Sequence, residues 1–139
     1  VDETGKLELM IDLASVDTDI DIRDERMRKH LFETEQYAMA ELTGNLDVSE
    51  YQNLQSGDSV RIDPNLTLSL HGENQELDAS LTLFKTADGS MRAVTRTPVI
   101  VSAGDFALLS GVETLRELAD LPSIAQAVPV TVDLVFTPS

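Results

Sequence analysis

Two runs of alternating apolar and polar residues stand at the centre of the chain. The first places Leu66, Leu68 and Leu70 on one face and Thr67, Ser69 and His71 on the other. The second places Leu77, Ala79, Leu81 and Leu83 opposite Asp78, Ser80 and Thr82. Side chains along a strand alternate between two faces, so each run predicts a strand that is dry on one side. Between them, His71-Gly72-Glu73-Asn74-Gln75 reads as the turn, with Gly72 free to take a positive φ. The pattern predicts a β-hairpin whose dry face the remainder of the chain must cover.

The same periodicity recurs on both sides. Leu7, Leu9, Ile11 and Leu13 alternate with Lys6, Glu8, Met10 and Asp12, and Tyr37 to Leu42 predicts a further strand, broken by Thr43-Gly44-Asn45. Leu46 to Tyr51 is weakly patterned. Val60-Arg61-Ile62 leads past Pro64 into the hairpin, and Asp88-Gly89 marks a tight turn before a strand over Met91–Val101 that Pro98 interrupts. Val128, Val130, Val132, Leu134 and Phe136 form a last alternating run. Helical spacing appears twice. Arg23 to Phe32 carries the stripe Met27, Leu31 and Phe32, with Asp21 as a candidate cap, and Val112, Leu115, Leu118, Ala119 and Leu121 precede the stop at Pro122. Six or seven antiparallel strands with two short helices give too little helix to cover a flat sheet. The sheet is therefore expected to curl into a β-barrel so that its apolar faces cover one another. Such a barrel either fills its interior with side chains or leaves room for a ligand, and on composition alone the filled interior is the plainer expectation.

Composition narrows the classes. A chain of 139 residues fits one domain, and a net charge of −15 repels phosphate backbones and anionic membranes. No apolar run is long enough to span a membrane, and the absence of cysteine excludes disulfides and thiolate chemistry. The start at Val1-Asp2-Glu3, without methionine, points to a processed precursor or a module of a larger secreted protein. Catalytic signatures are lacking. There is no Gly-x-Ser-x-Gly, and His30 and His71 have no metal-ligand spacing. The acidic run Asp17 to Asp21 lacks the glycine and distal glutamate of a calcium loop. The expectation is a non-enzyme with no metal. A carbohydrate-binding or interaction module is the alternative, weakened by the absence of Trp and the presence of only Tyr37 and Tyr51 to stack on sugars. A small β-barrel enzyme using scattered acids is a second rival.

Several stretches together resemble one family. Ile11-Asp12, then Ser15-Val16-Asp17-Thr18, Arg23-Asp24 and Leu31-Phe32, resemble an early segment of YceI-like proteins. Tyr37-Ala38-Met39-Ala40, Leu66-Thr67-Leu68 through Gly72, and Ala103-Gly104-Asp105-Phe106 resemble later ones. The resemblance implies a lipocalin-like antiparallel β-barrel that binds a long polyisoprenoid, either a polyprenyl diphosphate or a prenyl quinone, in the periplasm or outside a bacterial cell. The chain differs from the family pattern in three ways: two strands usual before Leu7 are missing, Ala38 replaces a proline, and Gly111 to Ala127 is longer. The missing strands imply a truncated or open barrel, whose gap a second copy of the chain is expected to close as a homodimer. Candidate ligand-binding residues are Leu68, Leu70, Leu81, Leu83, Met91, Val130, Val132, Leu134 and Phe136, with Phe32 and Phe106 near the ends. A buried tail needs no catalytic group, since each methylene contributes roughly 0.8 kcal/mol. A diphosphate head would be met by Arg23, Arg26 and Arg28, or by Arg92 and Arg96; the plainer reading is a solvated helix face paired to Asp24 and Glu25.

Overall fold

The structure, a computed structural model, describes residues 1–137. Its strands are β1 (Lys6–Asp12), β2 (Met39–Asn45), β3 (Ser59–Ile62), β4 (Asn65–Leu70), β5 (Glu73–Asp78), β6 (Leu81–Lys85), β7 (Met91–Thr95), β8 (Val99–Ser102), β9 (Ala127–Val130) and β10 (Asp133–Phe136). They form three antiparallel sheets, ordered β1-β2-β4-β5, β10-β7-β6-β3 and β8-β9. Two helices complete the fold, α1 (Asp21–Arg26), which runs on as a π-helical segment over Met27–Phe32, and α2 (Leu109–Leu118).

Ten strands replace the expected six or seven because four long strands are bent in the middle. Asp63-Pro64 separates β3 from β4, Ala79-Ser80 separates β5 from β6, the stretch before Pro98 ends β7, and Thr131-Val132 separates β9 from β10. Each half pairs in a different sheet, which is how a strand turns a corner between two layers. The bends are pinned to each other, since Ala79 N–H donates to the Pro64 carbonyl at 3.0 Å and Arg96 N–H to that of Ser80 at 2.8 Å. Alternation survives the bend, and Ala79, Leu81 and Leu83 are all buried. The run Leu77–Leu83, expected as one strand, is thus two strands that share an inner face.

The central hairpin is tighter than expected. Its turn is His71-Gly72 alone, with φ of 54° and 80°, the pair of left-handed residues that a two-residue turn between twisted strands requires. Glu73, Asn74 and Gln75 already pair with β4, and Leu66 faces Leu77 in register. Thr43-Gly44-Asn45 continues β2 rather than breaking it. A Cβ on Gly44 would stand 2.5 Å from the tip of the Leu66 side chain, so a larger residue there would have to displace that leucine. The first helix begins at Asp21, behind Ile20 with no side-chain cap, and ends where Glu33 turns left-handed at φ 51°. The second starts at Leu109 and ends at Leu118, earlier than the spacing predicts.

Buried residues form two groups. Leu7, Ile62, Leu66, Ala79, Leu81, Leu83 and Ala93 make one, and Leu13, Ala40, Leu68, Leu70, Ala103, Phe106 and Leu108 make the other, with Leu42 packed against both. The sheets do not close on themselves. Among the described residues, β1, β9 and β10 each pair on one side only, so the architecture is an open, lipocalin-like β-barrel.

Candidate functional site

Between the two groups lies a cavity of about 970 Å³. That volume is at the upper end of the range for ligand pockets. Strand β1 contributes Leu7, Leu9 and Ile11, with Leu13 just beyond it, a run of about 20 Å at the rise of a strand. Facing it are the inner side chains of β4, β6, β7, β9 and β10, and α2 adds Val112 and Leu115. The side chains that can hydrogen-bond along this wall are few: Asp2, Arg23, Arg26, Tyr51, Lys85, Thr95, Gln126 and Thr137.

The cavity is open to solvent on one side. Ile11 on β1, Val128 and Val130 on β9, and Ile22 on α1 all border it, yet they are exposed at 41%, 53%, 38% and 52%. Inner-face residues of a closed barrel would be covered. These belong to strands with one unpaired edge and to the helix α1.

Ten of the eleven candidate ligand-binding residues border this space: Phe32, Leu68, Leu70, Leu81, Leu83, Met91, Val130, Val132, Leu134 and Phe136. Phe106 does not. At 1% exposure it is the most deeply buried large side chain, packed with Leu13, Ala103 and Leu108 beneath α2, where it serves the core instead of the cavity. The alternation that picked out Leu68 and Leu81 also marks Leu7, Leu9, Leu42, Leu66 and Leu77, which share the wall.

The arginines around α1 donate to the Thr18 hydroxyl and to backbone carbonyls. Arg23 donates through Nε to Thr18 Oγ1 at 2.7 Å and through Nη2 to the Thr18 carbonyl at 2.6 Å. Arg28 donates to the carbonyls of Ala14 and Val16, and Arg26 to that of Leu118 at 3.4 Å. They brace the chain around α1 rather than pairing with Asp24 and Glu25. Arg23 and Arg26 border the cavity, whereas Arg28 does not. Asp24 is buried and accepts from Thr18 N–H at 2.9 Å and from the Thr18 hydroxyl. Arg92 pairs with Asp133 and Arg96 with Asp63, both outside the cavity wall.

Tyr51 is the polar residue that sequence reasoning misplaced. Considered only as a sugar-stacking surface, it packs instead against the Leu7–Leu83 group, with its hydroxyl enclosed and without a hydrogen-bond partner among the described residues. Burial pushes its phenol above the ordinary range, and the Asp2 and Asp47 carboxylates push it further. Tyr37 lies against His71 with ring centroids 4.4 Å apart, so its ring is not a free platform either. Among the described residues no cluster of His, Cys, Asp or Glu could hold a metal, and no helix is long and apolar enough to cross a membrane.

A family profile described as a YceI-like domain matches residues 1–136. Among solved structures, the fold is similar to that of a polyisoprenoid-binding domain from Saccharophagus degradans implicated in plant cell wall breakdown. The TM-score is 0.93 at 36% identity, covering 97% of this chain and 78% of that one. A Campylobacter jejuni YceI protein shares the fold at a TM-score of 0.63 and 17% identity, over 96% of this chain and 72% of its own. No curated protein matches the chain.

Proposed function

Because the chain belongs to the YceI-like domain family, we propose that its cavity binds a long polyisoprenoid lipid and carries it without chemical change. The observation that carries this reading is the continuous apolar hollow of about 970 Å³ along the inner faces of the strands. Interiors normally pack to crystal-like density, and a solid core of these leucines and valines would leave no such space. The related Saccharophagus degradans domain binds a polyisoprenoid and is 36% identical, which supports the same class of ligand here. A prenyl tail gains roughly 0.8 kcal/mol per buried methylene, so the wall needs shape and dryness rather than reactive groups.

Either a prenyl quinone or a polyprenyl diphosphate would place its tail along Leu68, Leu70, Leu81, Leu83 and Val132. Arg23 and Arg26 stand where a charged head could be met at the wall. Nothing favours a sugar platform, since both tyrosine rings are engaged elsewhere. The reading places the protein in the periplasm or outside the cell, in keeping with the relative's link to plant cell wall breakdown. A second copy of the chain set against β1 and β9 would cover the exposed inner residues; light scattering would then give twice the 15.2 kDa mass, and a strict monomer would reject the homodimer.

Organic extraction of the protein purified from a bacterial host, followed by mass spectrometry, tests the proposal. A prenyl lipid in near-stoichiometric amount is the expected result. An extract with no prenyl species, from a host that makes them, would count against it.

A further inference from the structure

Five non-glycine residues among those described have a left-handed backbone, and all five serve one part of the fold. Asp19 at φ 65° precedes α1, and Glu33 at 51° ends the π-helical segment. Ala107 at 53° precedes α2, and Asp120 at 52° follows it. The fifth is His71 at 54°, whose Nε2 donates to the Glu33 carboxylate at 2.9 Å. A side chain in this region crowds its own backbone. Such residues persist only where their surroundings hold them, and they gather at clamps and switches.

The helices between these points are lightly attached. None of α1, the π-helical segment and α2 has a side-chain cap at its N-terminus. The π-helical turn is itself a rare form that recurs at functional sites. It lies against α1 and α2 more closely than any of the three lies against a strand. Gly111 on the His30 backbone and Arg26 on the Leu118 carbonyl hold them together. Among the described residues, the one hydrogen bond tying this unit to the central hairpin is that of Glu33 to His71, on which the Tyr37 ring packs. Ile22, Met27, Leu31, Phe32, Val112 and Leu115 form its underside and border the cavity.

We infer that α1, the π-helical segment and α2 form one hinged lid on the cavity, swinging on Asp19, Glu33, Ala107 and Asp120 and latched by Glu33 on His71. A tail that fits under the closed lid leaves it in place. A longer tail lifts it as a unit, and the strained hinge residues relax as it rises. The Glu33 side chain is 48% exposed, so its bond to His71 is weak enough to yield to the apolar area that the added tail buries. The lid thereby sets the length of polyisoprenoid that the chain holds. This assignment rests on the lipid-binding reading and goes further by naming the element that selects tail length.

The chain has no cysteine, so a Glu33→Cys/His71→Cys variant can be locked by a short thiol crosslinker in place of the latch. Delipidated protein, locked and unlocked, is titrated with headless polyprenes of increasing length. The two forms should bind short polyprenes within about twofold of each other, and the longest at least about tenfold more weakly when locked. An Arg92→Cys/Asp133→Cys crosslink, between strands and outside the cavity wall, should leave the length dependence as in wild type. Wild type supplies a second readout. The longest polyprene, compared with a short one, should speed amide hydrogen exchange over 20–33 and 108–119 together. Equal binding of the longest polyprene by both forms would show that surplus tail leaves through the open side between β1 and β9, and would overturn the lid. So would a lock that weakens every length alike, or exchange that stays unchanged in those two segments. If wild type binds no polyprene of any length, the lipid-binding reading fails with it.

Discussion

Gly111 of α2 lies directly on the backbone of His30 in the π-helical segment. A Cβ built on Gly111 would stand 2.7 Å from the His30 carbonyl oxygen and 3.0 Å from the Leu31 Cα. Backbone atoms cannot step aside as a side-chain tip can, so this contact sets how closely the two helices approach over one end of the cavity. Alanine gains about 1 kcal/mol over glycine within a helix, but forcing a methyl into a packed contact costs about 1–3 kcal/mol. Gly111→Ala should therefore give a net loss of stability of up to about 2 kcal/mol in urea unfolding. A stabilised variant would show that α2 and the π-helical segment are less closely packed.

The loop before α1 depends on Asp24. Its carboxylate is buried and accepts both the N–H and the hydroxyl of Thr18, whose oxygen atoms in turn receive Arg23. Asp24→Ala leaves a partly buried N–H without a partner and should cost about 2 kcal/mol. Asp24→Asn, which keeps an acceptor oxygen, should cost about half as much. Urea midpoints of the two variants check the order, and equal losses would show that the charge rather than the hydrogen bonds matters.

Acid sensitivity has a local source in the turn before β7. Thr86 donates its hydroxyl to the Asp88 carboxylate, and with the Ser90 N–H this holds Asp88 from its ordinary value of 3.8 down to about 2. A depressed folded-state value means the ionised carboxylate stabilises the fold above the ordinary value, and that this stabilisation is lost as pH falls from about 4 toward about 2. The Asp88 carboxyl carbon in an NMR titration should show its midpoint near the lower figure. Asp88→Asn should flatten the stability profile across that window and leave the neutral-pH profile unchanged in shape.

Leu42 separates a hollow interior from a filled one. It borders the cavity midway, touching both groups of buried residues. In a filled core, Leu42→Phe would overpack and cost about 1–3 kcal/mol. In a hollow one the larger ring enters open space, so the loss should stay below about 1 kcal/mol. Binding of a long prenyl tail should fall at least tenfold. Urea unfolding and a lipid titration on the same preparation decide between them.

Much of this was legible in the primary structure because period-two alternation reports which face of a strand is dry. It marked nine of the ten candidate residues that border the cavity, and it survives the bends at Ala79-Ser80 and Thr131-Val132. Alternation carries no information about where a strand bends, which is why four long strands were read as unbroken or only interrupted. It also cannot separate wall from core. Phe106 obeys the same hydrophobic logic as Phe32, but the turn over Ala103–Phe106 drives it into the packed layer under α2. Arg23, Arg26 and Arg28 were visible as a cluster, whereas their bonds to Thr18, Leu118, Ala14 and Val16 depend on how the loops fold back on α1. Tyr51 lies in a weakly patterned stretch and gave no sign of facing inward.

The measurement that bears most directly on the hollow interior is a titration of delipidated protein with headless polyprenes of increasing length. At about 0.3 kcal/mol per non-hydrogen atom, each further isoprene unit should tighten binding by about 1.5 kcal/mol, close to tenfold, until the cavity is full. Affinity should rise with length and then level off. Affinity independent of length, or no binding at any length, would contradict an interior built to hold a polyisoprenoid.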